Sequence, residues 1–438
     1  MTLAGHDRIF IWGYGREGRA AHDLIRLEAP DVPVTIVDEN EPTPRPDQTD
    51  WIGEADLAQA VAGHPASLII KSPGVSLYHP VLDAALAQGA TLTSQTNLYL
   101  ERRPTDQFVI AITGTKGKST TASLLHHMLS ALGHVCALAG NIGEPALHIA
   151  RDARFVVLEL SSYQIADLVH APDAFIFLNL SNDHAPWHHG IERYQADKAR
   201  LARLDPNIPG VMGARDERLK ALFGHQPNRV WFGQESGLHE RDAEVWHGDQ
   251  RLGSLPGLPG AHNALNACAA LAMVDSLGLD TAAAFASLSE FSGLPHRMQT
   301  VHQSGDLRFV DDGLATTPEA CINALSAFAD QPVALILGGE DRQQDYAWLA
   351  EHLEAFDTIR AIFTLADNGK TILKALQSGR HGKITRHVGE VDAAVSAAAS
   401  ALPDGGVVLL SPAAPRSKAY RSYVDRGAAF LAAAKALD

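Results

Sequence analysis

Cysteine is nearly absent. Cys136, Cys268 and Cys321 are the only three in 438 residues, far apart and in no metal-ligand spacing. That excludes a disulfide framework and suits a reducing cytoplasm, with all three thiols expected to be buried as small hydrophobes. Positive charge is also short: 36 Lys+Arg against 51 Asp+Glu leave a net charge of −15. A nucleic-acid-coating protein is therefore not expected, and basic residues at an anionic ligand must be local exceptions. Long apolar runs are missing too, none reaching the roughly 18 residues of a spanning helix, so no membrane partner is expected. Arg16, Glu17 and Arg19 follow the first apolar strand directly, unlike a signal peptide. The expected protein is cytoplasmic, with length for roughly three domains of ordinary size.

What is present is organised around Gly114-Thr115-Lys116-Gly117-Lys118-Ser119-Thr120. A β-branched apolar run, Gln107 to Ile112, precedes it. Ala122, Leu125, Leu129 and Leu132 then mark one face of a helix ending at Gly133. Strand, glycine loop and helix form the context of a phosphate-binding loop, whose backbone N–H groups close around anionic oxygens at a helix N-terminus. Lys118 would reach the outer phosphates, and Ser119 or Thr120 would ligate Mg2+. The loop is short: Ile112 stands where the longer pattern has its first glycine.

Residues 1–103 read as one α/β unit. The strand Arg8–Trp12 runs into Gly13-Tyr14-Gly15-Arg16-Glu17-Gly18, and the strand Val34–Val37 ends in Asp38, 20 residues beyond Gly18. This G-x-G-x-x-G with a distal acid fits NAD, or equally any ligand with a pyrophosphate and a ribose. A third strand, Leu68–Lys71, leads into Ser72-Pro73-Gly74, either a binding loop at a strand end or a plain turn.

Residues 104–298 read as a second domain. Phe155–Leu160 is a buried strand carrying Glu159, whose carboxylate would be costly unless it met a cation or a core arginine. The strand Ala174–Leu180 delivers Asp183-His184 at its end. The neighbouring Trp187-His188-His189 lacks partners at zinc spacing, so His184 alone is advanced as functional. The helix from Ile191 carries Asp197 and Lys198, in pattern a solvated face. Asn263 and Asn266 share one face at the start of a helix over 263–277, where a cap is the default role. Residues 299–438 alternate strands and helices, which predicts a second doubly wound sheet.

In this order the motifs resemble those of the Mur ligases, the ATP-dependent amide-forming enzymes of peptidoglycan synthesis. They are Gly114 to Thr120, Leu158-Glu159-Leu160-Ser161-Ser162-Tyr163-Gln164, Asp183-His184, His262-Asn263-x-x-Asn266, Leu294-Pro295-His296-Arg297 and Leu409-Leu410-Ser411-Pro412. The resemblance covers essentially the whole chain and is nearest the type that adds glutamate to UDP-N-acetylmuramoyl-L-alanine. It implies an α/β fold of three domains: a Rossmann-like UDP-binding domain (1–103), a central ATPase domain with a mostly parallel sheet (104–298) and a Rossmann-like glutamate-binding domain (299–438).

The resemblance also implies roles. ATP would be held by Gly114, Thr115, Lys116, Gly117, Lys118, Ser119 and Thr120, with Asn263, Arg297 and Asp312. Mg2+ would be held by Ser119, Glu159, His184 and a carbamoylated Lys198. The UDP end of the substrate would meet Gly13, Tyr14, Gly15, Asp38, Ser72, Pro73 and Gly74. Asn141, Ser162, Thr316, Arg342, Ser411 and Arg416 complete the substrate set. The implied enzyme is a monomer with two small-molecule substrates. It would phosphorylate a carboxylate and then let an amine displace phosphate, with a third domain that closes on the ATP.

Three positions depart from the enzymes that add D-glutamate: Leu314, Arg342 and Arg416 stand where those carry lysine, lysine and serine. With Ala315-Thr316-Thr317-Pro318-Glu319 they resemble a branch that adds L-glutamate. Lys116, where asparagine is commoner, goes with these. Two other readings are weaker. An NAD oxidoreductase rests on Gly13 to Gly18 alone and leaves Glu159 and His184 without a role. A non-catalytic nucleotide-binding regulator would need broken metal positions, and they are intact.

Overall fold

The computed structural model describes residues 2–438 apart from 43, 143, 183–184, 259, 292, 294–295, 342–345, 367, 378–382, 418 and 421. The expected positions His184 and Arg342 therefore lie outside the described residues. The chain divides into two compact units, Met1–Phe291 and Ser292–Asp438.

The first unit holds two parallel sheets. One has the order β3-β2-β1-β4-β5, from β1 (Arg8–Trp12), β2 (Val34–Val37), β3 (Thr49–Ile52), β4 (Ser67–Lys71) and β5 (Thr91–Ser94). The other has the order β11-β10-β9-β6-β8-β7, from β6 (Phe108–Thr113), β7 (Cys136–Gly140), β8 (Phe155–Glu159), β9 (Ala174–Phe177), β10 (Gly210–Gly213) and β11 (Arg229–Phe232). The central strand β6 is apolar up to its last residue, Thr113, because both its faces are covered. Ile110 and Ile112 pack with Leu125, Leu129 and the helix Ala261–Ser276, while Val109 and Ala111 face the opposite core with Leu158 and Tyr194. A small antiparallel sheet, β12 (Leu238–Arg241), β13 (Glu244–His247) and β14 (Gln250–Gly253), turns between its last two strands at Gly248, whose φ of 57° glycine adopts without strain.

The two large sheets of this unit are tied by a buried ion pair. Lys71 Nζ, at the end of β4, lies 3.2 Å from Asp167, and both side chains are almost wholly buried. Burial pushes the Asp167 carboxyl up, and the Lys71 charge opposes that shift. Asn97 Nδ2 adds a 2.9 Å bond to the Asp167 carbonyl. Lys71→Met leaves an uncompensated buried carboxylate, and a loss of about 3–5 kcal/mol is expected in chemical unfolding. Lys71→Met with Asp167→Leu should recover most of that loss.

The second unit is one six-stranded sheet of order β15-β16-β20-β17-β18-β19. Its strands are β15 (Gln299–Ser304), β16 (Leu307–Asp311), β17 (Val333–Leu337), β18 (Ile359–Leu365), β19 (Ile384–Gly389) and β20 (Gly406–Leu410), with only the β15–β16 pair antiparallel. Helices cover both faces, over separate cores. No helix among the described residues is long and apolar enough to cross a membrane.

Two local expectations are corrected. Cys136 is only partly buried, whereas Cys268 and Cys321 are buried. The helix Ile191–Ala199 does not present Lys198 to solvent. Lys198 is 2% exposed, because the face that carries it, with Tyr194, lies against β6 and the glycine loop.

Candidate active site

Parallel register brings the motif residues of the first unit to one edge. Ile112 pairs with Glu159 across β6 and β8, and Gly140 pairs with Glu159 across β7 and β8. The glycine loop, Glu159 and Asn141 therefore leave the sheet side by side, where sites of parallel sheets form. Gly114 (φ 156°) and Gly117 (φ 85°) shape the loop, and a Cβ on Gly117 would stand 2.4 Å from Asn266 Oδ1. Only glycine fits there. Asn179, unmarked at the sequence level, braces the loop: its carbonyl accepts from the Thr115 N–H (3.0 Å) and its Oδ1 from the Lys116 N–H (2.9 Å). The helix Lys118–Ala131 starts at the loop, with Ser119 and Thr120 in its first turn. Lys118 Nζ rests on the carbonyls of Gly114 and Thr115 at 3.0 Å each.

Glu159 is fully buried. Asn141 Nδ2 donates to its Oε1 at 2.9 Å, while among the described residues Oε2 is buried without a hydrogen-bond partner and no arginine pairs with it. An orphaned carboxylate oxygen beside a phosphate-type loop is costly unless a cation takes it up, so the donor set fits Mg2+ with ATP on the loop. Lys198 Nζ lies 3.0 Å from the Gly114 carbonyl and 3.4 Å from Thr113 Oγ1, over the Tyr194 ring at 5.4 Å. Tyr194 in turn meets Thr115 Oγ1 through its hydroxyl at 2.9 Å. The four-residue step from Tyr194 to Lys198 puts both on one helix face, so Tyr194 is the one local signal against the solvated face expected for Lys198. Asn263 is buried in the first turn of the helix Ala261–Ser276.

The first sheet gathers its own set. Ser72 Oγ donates to the Gly13 carbonyl at 2.5 Å, and a Cβ on Gly13 (φ 89°) would stand 2.8 Å from Ser72 Cβ. Asp38 Oδ2 accepts from the Tyr14 N–H at 2.9 Å. Gly13, Tyr14, Gly15, Asp38 and the Ser72-Pro73-Gly74 loop thus stand at adjacent ends of β1, β2 and β4. Arg16 bridges to the other sheet by donating to the Gly140 carbonyl at 2.8 Å.

In the second unit Ser411 Oγ donates to Asp312 Oδ2 at 2.8 Å, and the Met298 N–H reaches Oδ1 at 3.3 Å. Burial raises the Asp312 carboxyl from 3.8 to about 7; the Ser411 hydroxyl and the charge of Arg297 oppose the shift. Folding thus favours the protonated form. The Asp312 contribution to stability is full below about pH 4 and is lost as the pH rises to about 7. Between pH 5 and 8 the wild type should lose roughly 2–3 kcal/mol relative to Asp312→Asn, read as a widening melting-temperature gap in favour of the variant. Thr316 is partly buried, and Arg416 is exposed with a 2.8 Å bond to the Tyr420 carbonyl. A cleft of about 440 Å³ opens at the ends of β17, β18 and β19, lined by Gly338, Ala366, Gly389 and the buried Arg426 among others.

Residues 112–274 match the Mur ligase middle domain, and residues 296–414 match the Mur ligase glutamate ligase domain. A UDP-N-acetylmuramoyl-L-alanine--L-glutamate ligase of Xylella fastidiosa is 36% identical over 97% of this chain and 94% of that protein. The chain belongs to the Mur ligase family. A relative of the same name from Micromonospora is 36% identical over 98% of this chain and 96% of its own. Among solved structures, the UDP-N-acetylmuramate-alanine ligase MurC of Thermotoga maritima aligns with TM-score 0.60 at 21% identity, over 99% of this chain and all of its own. A MurF ligase of the same organism in complex with ADP aligns with TM-score 0.60 at 18% identity, over all of this chain and 98% of its own. The family fold has Rossmann-like domains at both ends, and the protein is an ATP-dependent ligase. The sequence-level resemblance and fold class are therefore borne out.

Proposed function

We propose that this ligase joins L-glutamate to UDP-N-acetylmuramoyl-L-alanine, with domains over 1–103, 104–298 and 299–438, acting as a cytoplasmic monomer. The observation that carries the reading is the near full-length similarity to relatives named for that reaction. The L-alanyl carboxylate of the substrate attacks the γ-phosphorus of ATP, forming a C–O–P bond and releasing ADP. The glutamate amine then adds to the acyl phosphate, loses a proton, and the tetrahedral intermediate expels phosphate as the amide forms.

The loop 114–120 and Lys118 cradle the phosphates, with Asn263, Arg297 and Asp312 assigned to the nucleotide. Glu159, Ser119, His184 and a carbamate on Lys198 are the assigned Mg2+ ligands. Bound Mg2+ would offset the repulsion between a carboxylate and a triphosphate. The UDP group is assigned to Gly13, Tyr14, Gly15, Asp38 and Ser72 to Gly74. Asn141 and Ser162 are assigned to the reacting end, and Thr316, Arg342, Ser411 and Arg416 to glutamate. Arginine forks in place of lysine and serine favour a changed carboxylate geometry, which supports the L enantiomer.

The test offers purified enzyme ATP, Mg2+, the muramoyl substrate and either enantiomer of glutamate, and measures phosphate release. Turnover with L-glutamate at least about tenfold above D-glutamate is expected. Preference for D-glutamate would return the protein to the more usual reaction of its type.

A further inference from the structure

His188, set aside with the zinc reading, is completely buried. Its Nδ1 lies 2.6 Å from Asp197 Oδ2 and its Nε2 lies 2.9 Å from Ser162 Oγ. Asp197 Oδ1 accepts the Tyr78 hydroxyl at 2.6 Å. Burial first, and the hydrogen bond to Asp197 next, push the Tyr78 phenol up, so it remains a donor. The His188 ring stands edge-on to Tyr194 at 5.3 Å, one ring away from Lys198 and Thr115. Ser162 opens the helix Ser162–Ala166, which begins three residues after Glu159.

The far end of the chain is anchored in the loop after β4. Ser76 Oγ donates to the Trp187 carbonyl at 2.7 Å, and Trp187 Nε1 donates to the Gly74 carbonyl at 3.2 Å. A line of hydrogen bonds, Tyr78–Asp197–His188–Ser162, thus runs from the Ser72–Gly74 side of the first sheet to the segment behind Glu159.

We propose that His188 is a positioning residue for the ligation, an inference that rests on the ligase reading above. Asp197 accepts from Nδ1 and so holds the imidazole as the Nδ1–H tautomer. Nε2 is then an acceptor, and it takes the Ser162 O–H. The Ser162 oxygen is left with its lone pairs oriented for an N–H or O–H donor of the bound reactants. A freely rotating hydroxyl would offer donor and acceptor alike, whereas this one is fixed before the reactants arrive. Tyr78 makes the same chain depend on the loop assigned to the UDP end of the substrate.

The first measurement needs no activity. In the full-length protein with 15N-labelled histidine, NMR two-bond couplings report each tautomer, and the His188 signals are identified by their loss in His188→Asn. The Nδ1–H tautomer is expected; the Nε2–H tautomer overturns the proposal. Kinetics follow, with phosphate release as the readout. His188→Asn keeps a donor toward Asp197 but removes the acceptor for Ser162, and should lower kcat about tenfold with the KM for ATP little changed. His188→Gln, which can return an acceptor, should recover part of it.

Because His188 acts through Ser162, the double variant His188→Asn/Ser162→Ala should be no slower than Ser162→Ala alone. Wild-type kcat in His188→Asn, or two losses that multiply in the double variant, overturns the proposal. Should His188→Asn fail to fold, Asp197→Asn against Ser162→Ala gives the same cycle with the same criterion. An inactive wild type that holds the Nδ1–H tautomer would instead sink the ligase reading, and the role of His188 with it.

Discussion

Lys198→Ala should abolish phosphate release almost completely, by about 10²–10³-fold or more, and short carboxylates such as formate or acetate should restore part of it. The reason lies in where the side chain ends. Lys198 is 2% exposed, with Nζ 3.0 Å from the Gly114 carbonyl of the phosphate-type loop. A bare ammonium there would repel a divalent cation bound to Glu159. The proposed carbamate would turn the same position into an anionic oxygen ligand. Addition of a carboxylate in solution supplies the missing oxygen without the tether, so rescue distinguishes lost ligation from lost packing. Wild-type protein in 13C-bicarbonate should show a carbamate resonance that the variant lacks. Full activity in Lys198→Ala would reduce the residue to a structural cation on the loop carbonyls.

Glu159→Gln should separate activity from stability. Gln keeps the volume and keeps an acceptor for Asn141 Nδ2, which lies 2.9 Å from Oε1. It removes the charge from a fully buried side chain whose Oε2 has no partner among the described residues. Turnover should fall about 10²–10³-fold, and the Mg2+ concentration for half-maximal rate should rise. Denaturant stability without Mg2+ should hold or increase slightly, because a neutral amide costs less to bury than an unpaired carboxylate. A variant with ordinary turnover and Mg2+ requirement would remove Glu159 from the metal set.

Much of this site was legible because parallel sheets place their loops by rule. Once Gln107–Ile112, Phe155–Leu160 and Ala174–Leu180 were read as strands, their C-terminal loops had to meet at one edge. The register of Ile112 and Gly140 with Glu159 bears that out. Gly13 to Gly18 and Ser72 to Gly74 came together for the same reason. The strands that escaped notice were β3, β5, β10, β12 and β15. Four of these lie at sheet edges, where a strand needs little apolar pattern; β10, in Gly210-Val211-Met212-Gly213, is too short and glycine-bounded to register.

Residue types and their spacing were enough for the glycine loops, the lone Glu159 in an apolar strand, the three α/β segments and the family. These are local signals, carried by steric limits at glycine and by the cost of burying a charge. Which polar groups share a proton or a cation was decided by the fold alone. Nothing in the order of Tyr78, Ser162, His188 and Asp197 joins them, because they are separated by as many as 119 positions: the last three meet where their helices pack on one sheet, and Tyr78 reaches them only from the other. Packing of its helix against β6 and the glycine loop turned Lys198 from a patterned surface charge into a buried one. Hydrogen bonds at 2.6–2.9 Å are set by where backbones cross, and the sequence pattern along one helix does not encode the neighbour on the other side.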